Sequence, residues 1–261
     1  MSRVIKNGMS LLLAVSFSFL LTACELNQTE TVELTISAAA SLTDALQEVE
    51  RLYAAEHPSI KLHFNFGASG ALQQQIEQGA PVDLFLAAAS KNMQALIDRG
   101  LVDTRMQQSL LQNELVAIVP AAVQLMIVKP EDLTNEAVKH VAVGIPESVP
   151  AGSYTKESLT AINLWNSLGD KIVQAKDVRQ VLQYVETGNA DVGFVYKTDA
   201  LSSKQVKIAF QVDPSTYPVI QYPVGIIKAT KHANEAEELY QFLQTDEVMD
   251  VFVKYGFSKP R

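Results

Sequence analysis

Four short stretches of the chain share one design: small residues running into what reads as the start of a helix. They are Ala40-Ser41, Ser69-Gly70, Ala151-Gly152 and Asp177-Val178. The first amides of a helix have no intrahelical acceptor, and the aligned peptide dipoles leave partial positive charge there. Small side chains let an anion approach that backbone closely. Ser41 and Ser69 add hydroxyl donors, and Tyr196 adds a phenol at the end of an apolar run. Gathered round one point, these groups would form a cage of N–H and O–H donors for a single anion. Singly they carry little weight, because Ser and Asp cap ordinary helices and a Tyr at a strand end is commonly a packing residue. Their combination is what points to a site.

The elements that must position these groups follow from periodicity. Residues 32–37 alternate as a strand through Val32, Leu34 and Ile36. A helix then starts at Ser41, with Asp44 three residues on in the manner of a capping box, and runs to about residue 55. Residues 61–66 form a second strand, 71–78 a helix stopped by Gly79, 82–87 a buried strand, and 91–99 a helix closed by Gly100. This β-α-β-α-β-α order is that of a parallel sheet covered by helices. Further on, 113–120 and 140–144 read as strands. Pro150-Ala151-Gly152 leads into a helix over 153–164, and Asp177 caps a helix over 178–186 that ends at Gly188. Residues 191–196, 206–210 and 222–227 are strands, and the last helices span 233–243 and 247–255.

Two such βα sets predict an α/β chain of two lobes, each a mainly parallel sheet flanked by helices, with the ligand in the cleft between them. The strand at 115–119 would carry the chain into the second lobe and the one at 222–227 would bring it back. Lobe 1 is then residues 32–115 and 222–261, and lobe 2 is residues 116–221. Two crossings permit hinge closure over the cleft. In open α/β sheets ligands sit beyond the carboxyl ends of the strands, which is where the four turns lie.

Ahead of this fold stand Arg3 and Lys6, an apolar stretch over 9–21, and Leu21-Thr22-Ala23-Cys24. A basic start, about a dozen apolar residues and small residues before a cleavage point read as a secretory signal peptide, residues 1–23. The stretch is too short to serve well as a permanent span. Cys24 is the only cysteine, so the fold has no internal disulfide, and its place after the apolar run is that of a bacterial lipidation site. Residues 24–31 are polar and read as a tether behind the lipidated Cys24. The protein is expected at the cell membrane, anchored by lipid on the extracytoplasmic side, or periplasmic if it is not lipidated. The formal net charge is −8, and losing Arg3 and Lys6 with the leader makes the remainder more acidic, which argues against nucleic acid as a partner.

Catalytic readings are weak. Ser153-Tyr154-Thr155-Lys156 fits the Ser-x-x-Lys pattern of penicillin-interacting serine enzymes, but the Ser-Asp-Asn and Lys-Thr-Gly partners of that class are missing from the sequence. Gly67-Ala68-Ser69-Gly70 is not a nucleophile elbow. His57, His63, His140 and His232 have no metal-ligand spacing. The expectation is a binding protein, neither enzyme nor metalloprotein, with a serine-dependent extracytoplasmic enzyme as the alternative of a different class.

Ala38-Ala39-Ala40-Ser41-Leu42-Thr43-Asp44-Ala45 resembles the N-terminal motif of the bacterial molybdate-binding proteins, the extracytoplasmic receptors of molybdate ABC importers. The resemblance continues through residues 66–69, 79–85, 149–154, Asp177-Val178-Arg179, Gly193-Phe194-Val195-Tyr196 and Tyr255-Gly256-Phe257, and so covers essentially the whole chain after the leader. It implies the two-lobe type II periplasmic binding-protein fold and a site made of neutral donors. By the matching motifs, Ser41 and Ser69 would give backbone N–H and hydroxyl, Ala151 and Val178 backbone N–H, and Tyr196 its phenol. Family members often have a serine-richer second loop than Gly67-Ala68-Ser69-Gly70. The implied ligand is molybdate or tungstate, with no cofactor. The implied partners are an ABC permease and, through it, its ATPase subunit, with the receptor acting as a monomer. A sibling receptor for sulfate or another tetrahedral oxyanion is the nearest alternative.

Overall fold

The computed structural model describes residues 31–123 and 126–260. Cys24, the leader and all of the tether but Thr31 lie outside the described residues.

The first strand, β1 (Val32–Ala39), passes through a 3-10 turn (Ala40–Leu42) into α1 (Thr43–Glu56). Then come β2 (Ile60–Gly67), α2 (Ser69–Glu77), β3 (Leu84–Leu86) and α3 (Ser90–Asp98). A long strand, β4 (Val102–Asn113), leads into β5 (Leu115–Pro120). The middle of the chain supplies β6 (Val141–Gly144), α4 (Pro150–Ala161), β7 (Ile172–Ala175), α5 (Val178–Glu186), β8 (Val192–Tyr196), the short α6 (Lys197–Leu201) and β9 (Val206–Gln211). The chain closes with β10 (Ile220–Ile227), α7 (Ala233–Phe242) and α8 (Asp246–Lys254).

The strands form two five-stranded sheets, ordered β2-β1-β3-β10-β4 and β7-β6-β8-β5-β9. Their plans match. In the first, β1 lies parallel between β2 and β3, while β10 runs antiparallel to both β3 and β4. In the second, β6 lies parallel between β7 and β8, while β5 runs antiparallel to both β8 and β9. Each sheet is therefore mixed, with a single strand running against the other four. Those two strands, β5 and β10, are the ones that begin just after the chain changes sheet. It leaves the first sheet between Asn113 and Leu115 and returns to it between Gln211 and Ile220.

Two strands were not expected from the sequence. β4 is a sheet edge whose central stretch, Asp103-Thr104-Arg105-Met106-Gln107-Gln108, is polar except for Met106 and at most partly buried, so its periodicity is weak. β7 has four residues and lies on the opposite kind of edge, beside β6. α4 also starts earlier than the periodicity suggests, at Pro150, because proline at the first helical position loses an N–H that has no intrahelical partner anyway. Gly152 is required there: a Cβ would stand 1.9 Å from the Gly144 carbonyl oxygen. The absent side chain lets α4 start almost in contact with the end of β6. The central strands are buried on both faces, as in β5, β6 and β8, which explains their uninterrupted apolar runs.

Candidate functional site

The matched topology fixes where the polar turns can be. Helices α1 and α2 open at the carboxyl ends of β1 and β2, and α4 and α5 open beyond β6 and β7. Ser69 is the first residue of α2, Ala151 the second of α4 and Val178 the first of α5, so their amides have no acceptor within their own helices. Tyr196 ends β8. The structure brings Ser41, Ser69, Ala151, Val178 and Tyr196 to one cavity between the sheets. All five are buried. The cavity is small, ≈ 10 Å³, about what one water-sized sphere needs. This is room for one small compact guest. The rest of the lining is backbone and small apolar side chains, including Gly67, Ala68, Ala88 and Pro150, and among the described residues no charged side chain lines it.

The hydroxyls are arranged as donors. The Ala88 amide donates to Ser69 Oγ at 2.9 Å. An amide can only donate, so that oxygen is used as an acceptor and its proton is left for the cavity. Ser41 Oγ lies 2.9 Å from Tyr222 Oη. The Tyr196 hydroxyl is buried and has no hydrogen-bond partner among the described residues. A buried unpaired hydroxyl costs about 1–3 kcal/mol, so this one is an open donor available to whatever occupies the cavity. Burial also holds its pKa well above the ordinary phenol value, keeping it protonated.

Several details differ from the sequence reading. Ser41 is not a side-chain cap for α1: no such bond is present, and its hydroxyl turns to Tyr222 instead. Asp44, expected to complete a capping box, pairs with Arg179 of α5. Asp177 does cap α5, its carboxylate accepting from the Gln180 amide at 2.8 Å, and a second carboxylate lies near. Asp199 is fully buried; it accepts from the Tyr196 amide at 3.2 Å and faces Arg179 Nε at 3.0 Å. Burial pushes its pKa up to about 6 against the pull of Arg179. Arg179, next to Val178 in sequence, thus points away from the cavity and is engaged by two carboxylates. Asp44 and Arg179 were visible in the motifs, yet their pairing depends on two helices from different sheets and has no local signal.

The lobes touch. The Gly70 amide at the start of α2 donates to the Ser148 carbonyl ahead of α4 at 2.9 Å. Lys91 of α3 donates to Ser153 of α4 at 2.9 Å. Ser153 in turn donates to Glu157, and Lys156 lies 5.7 Å from the Trp165 ring centroid. The Ser-x-x-Lys pair therefore points to separate neighbours. His57 stacks on Tyr53 and His63 lies beside Glu33; among the described residues no group of three potential metal ligands occurs.

Two α/β lobes joined by two chain crossings and shut over a small, cation-free chamber define a solute receptor. The sequence profile of the bacterial extracellular solute-binding proteins matches residues 34–258. The chain belongs to that family. A Bacillus subtilis lipoprotein, provisionally named as the substrate-binding part of an ABC transporter, is 49% identical over 95% of this chain and 97% of its own. The molybdate-binding protein of Haemophilus influenzae is 37% identical over 99% of both chains. Among solved structures, the substrate-binding domain of a provisionally named molybdenum ABC transporter from Clostridium difficile superposes with a TM-score of 0.68. It is 44% identical and covers 88% of this chain and 100% of its own.

The Gly70 contact gives a direct test of lobe closure. A Cβ on Gly70 would stand 2.7 Å from the Ser148 carbonyl oxygen and 2.9 Å from its Cα, both backbone atoms of the other lobe. Gly70→Ala should weaken ligand binding by tenfold or more while leaving the ligand-free melting temperature within a few degrees, as read by calorimetric titration and thermal unfolding. Unaltered affinity would show that the lobes do not need this approach.

Proposed function

We propose that the protein captures molybdate, and with it tungstate, outside the cytoplasmic membrane and delivers it to an ABC importer permease coupled to an ATPase. The observation that carries this reading is the chamber itself. Ser41, Ser69, Ala151, Val178 and Tyr196 meet there with amides and hydroxyls to donate and no cation to assist. The relatives named for molybdate, similar over 99% and 89% of their lengths, support the choice of ligand. The five residues act as binders: Ser41 and Ser69 through amide and hydroxyl, Ala151 and Val178 through amides, Tyr196 through its phenol. The guest leaves as it arrived, with no bond made or broken, and the receptor works as a monomer. Cys24 carries the lipid that holds it to the membrane, in keeping with the lipoprotein name of the Bacillus subtilis relative. Among the described residues no helix is long and apolar enough to cross a membrane.

The energetics are sufficient. Hydrogen bonds to a charged partner contribute roughly 1.5–3 kcal/mol each. Seven of them, two each from Ser41 and Ser69 and one each from the other three residues, in a preformed dry chamber offset the desolvation of a dianion and leave about 8–12 kcal/mol, micromolar to nanomolar binding. A chamber of donors also selects by protonation. Hydrogen phosphate must donate one bond of its own and meets amides and inward-turned hydroxyl protons, whereas a fully ionised tetrahedral oxyanion accepts at every corner.

Calorimetric titration with molybdate, tungstate, sulfate and phosphate tests the assignment. Molybdate and tungstate should bind tightly and phosphate weakly; a preference for sulfate would identify a sibling receptor instead. Tyr196→Phe removes one open donor and should weaken molybdate binding by about 1–3 kcal/mol, and an unchanged Kd would remove Tyr196 from the site. Affinity should be flat between about pH 7 and 9, above the Asp199 titration near 6 and below that of Tyr196, since no group at the chamber changes charge in that window. A tenfold change in Kd across it would contradict a cage of neutral donors.

A further inference from the structure

We propose that Tyr222, held by Asn113, is a positioning residue that forces the Ser41 hydroxyl to donate into the chamber and so makes the site reject protonated oxyanions. The proposal rests on the oxyanion reading above and assigns its selectivity to residues outside the chamber. The first step of this path is set by a group that can only donate. The Glu114 amide donates to Asn113 Oδ1 at 2.9 Å, which fixes the side-chain amide the other way round. Asn113 Nδ2 therefore faces Tyr222 Oη, at 3.3 Å, and also Thr198 Oγ1, at 3.0 Å. Tyr222 Oη accepts from Asn113 and lies 2.9 Å from Ser41 Oγ, a bond that either hydroxyl could donate; the relay assigns the donated proton to Tyr222. Ser41 Oγ accepts in turn, and its proton is the one left over, free to enter the chamber.

Tyr222 is suited to this task. It is fully buried on β10 and packed edge-on between the rings of Tyr196 and Phe257 at 5.7 and 5.3 Å. Its proton is retained, because burial keeps the phenol far from ionisation. Asn113 stands where the chain leaves the first sheet, and Thr198 belongs to the second lobe, so the relay is anchored on both sides of the crossing. The Ala88 amide does the same for Ser69 in a single step. Ser41 differs in having its polarity set by side chains, which makes it the position where polarity can be changed by substitution.

The test is a double-mutant cycle read by calorimetric titration with sodium molybdate and with phosphate. Tyr222→Phe keeps the ring and deletes the donor. With Ser41 present it should weaken molybdate binding about tenfold and lower the ratio of phosphate to molybdate Kd, because the freed serine can accept from a protonated oxygen. In a Ser41→Ala background the same change should alter neither quantity. Asn113→Asp, of the same shape, is the second variant: it can only accept there, so it draws the Tyr222 proton away and turns a Ser41 lone pair toward the chamber. It should cost more affinity with Ser41 present than in the Ser41→Ala background, whatever its added charge costs in both. Equal losses in the two backgrounds, or no loss with Ser41 present, would overturn the relay while leaving molybdate binding intact. A native protein that binds no tetrahedral oxyanion would overturn the reading of the site, and the relay with it.

Discussion

A dianion surrounded by neutral donors is attracted only as far as each donor's hydrogen points at it. A cation attracts from any direction, while an N–H or O–H contributes little once it is misaligned. The fold supplies rigid orientation in two ways. Amides are fixed by the helices they begin, and α2, α4 and α5 start directly beyond strands whose own positions are set by sheet pairing. Hydroxyls rotate, so they must be fixed by something else. Ser69 is fixed by the Ala88 amide, Ser41 faces the Tyr222 phenol, and Tyr196 stands on a strand end whose amide is held by Asp199.

The same requirement explains the placement of Arg179. Its guanidinium is one residue from a chamber amide, yet it is turned outward to Asp44 and Asp199. On the proposed reading, inside the chamber it would attract every oxyanion, protonated or not, and remove the discrimination assigned to the donors. Between two carboxylates it instead ties α1 of one lobe to α5 of the other. Asp199 then serves two partners, Arg179 through one oxygen and the Tyr196 amide through the other. A buried ion pair is poor evidence for stability in itself; here its geometric effect is to connect lobe contact with the placement of Tyr196.

The βα order, the boundaries of α5, the Asp177 cap and the meeting of five named residues were legible because each leaves a local mark. Such marks are alternation, a capping residue, or a turn of small residues ahead of a helix. β4 and β7 were not legible, since edge strands need not alternate and β7 has only four residues. The antiparallel course of β5 and β10 shows only in pairing. Ser41 was misread for an instructive reason: Ser followed by Asp at the third position has the form of a capping box, but both side chains were claimed by distant partners, Tyr222 and Arg179. Tyr222 and Asn113 carry no motif at all. They lie on neighbouring strands, β10 and β4, and only the sheet register brings them near Ser41.

Dividing the donors between lobes also answers how a tight receptor lets go. Ser41 and Ser69 stand on the first sheet's side of the chamber, and Ala151, Val178 and Tyr196 on the second's. On the proposed reading, with the lobes apart a guest resting on the first keeps Ser41 and Ser69 and loses the other three residues. Losing the other three, at roughly 1.5–3 kcal/mol for each bond, removes about 5–9 kcal/mol. That is a large part of the 8–12 kcal/mol that micromolar to nanomolar binding represents, with the amides and hydroxyls of Ser41 and Ser69 left in contact. Water then reaches what remains. A partner that spreads the lobes therefore has no need to compete for the oxyanion chemically. It has to break the contacts at the rim, the Gly70 amide on Ser148, Lys91 on Ser153 and Arg179 on Asp44, and the affinity falls with them.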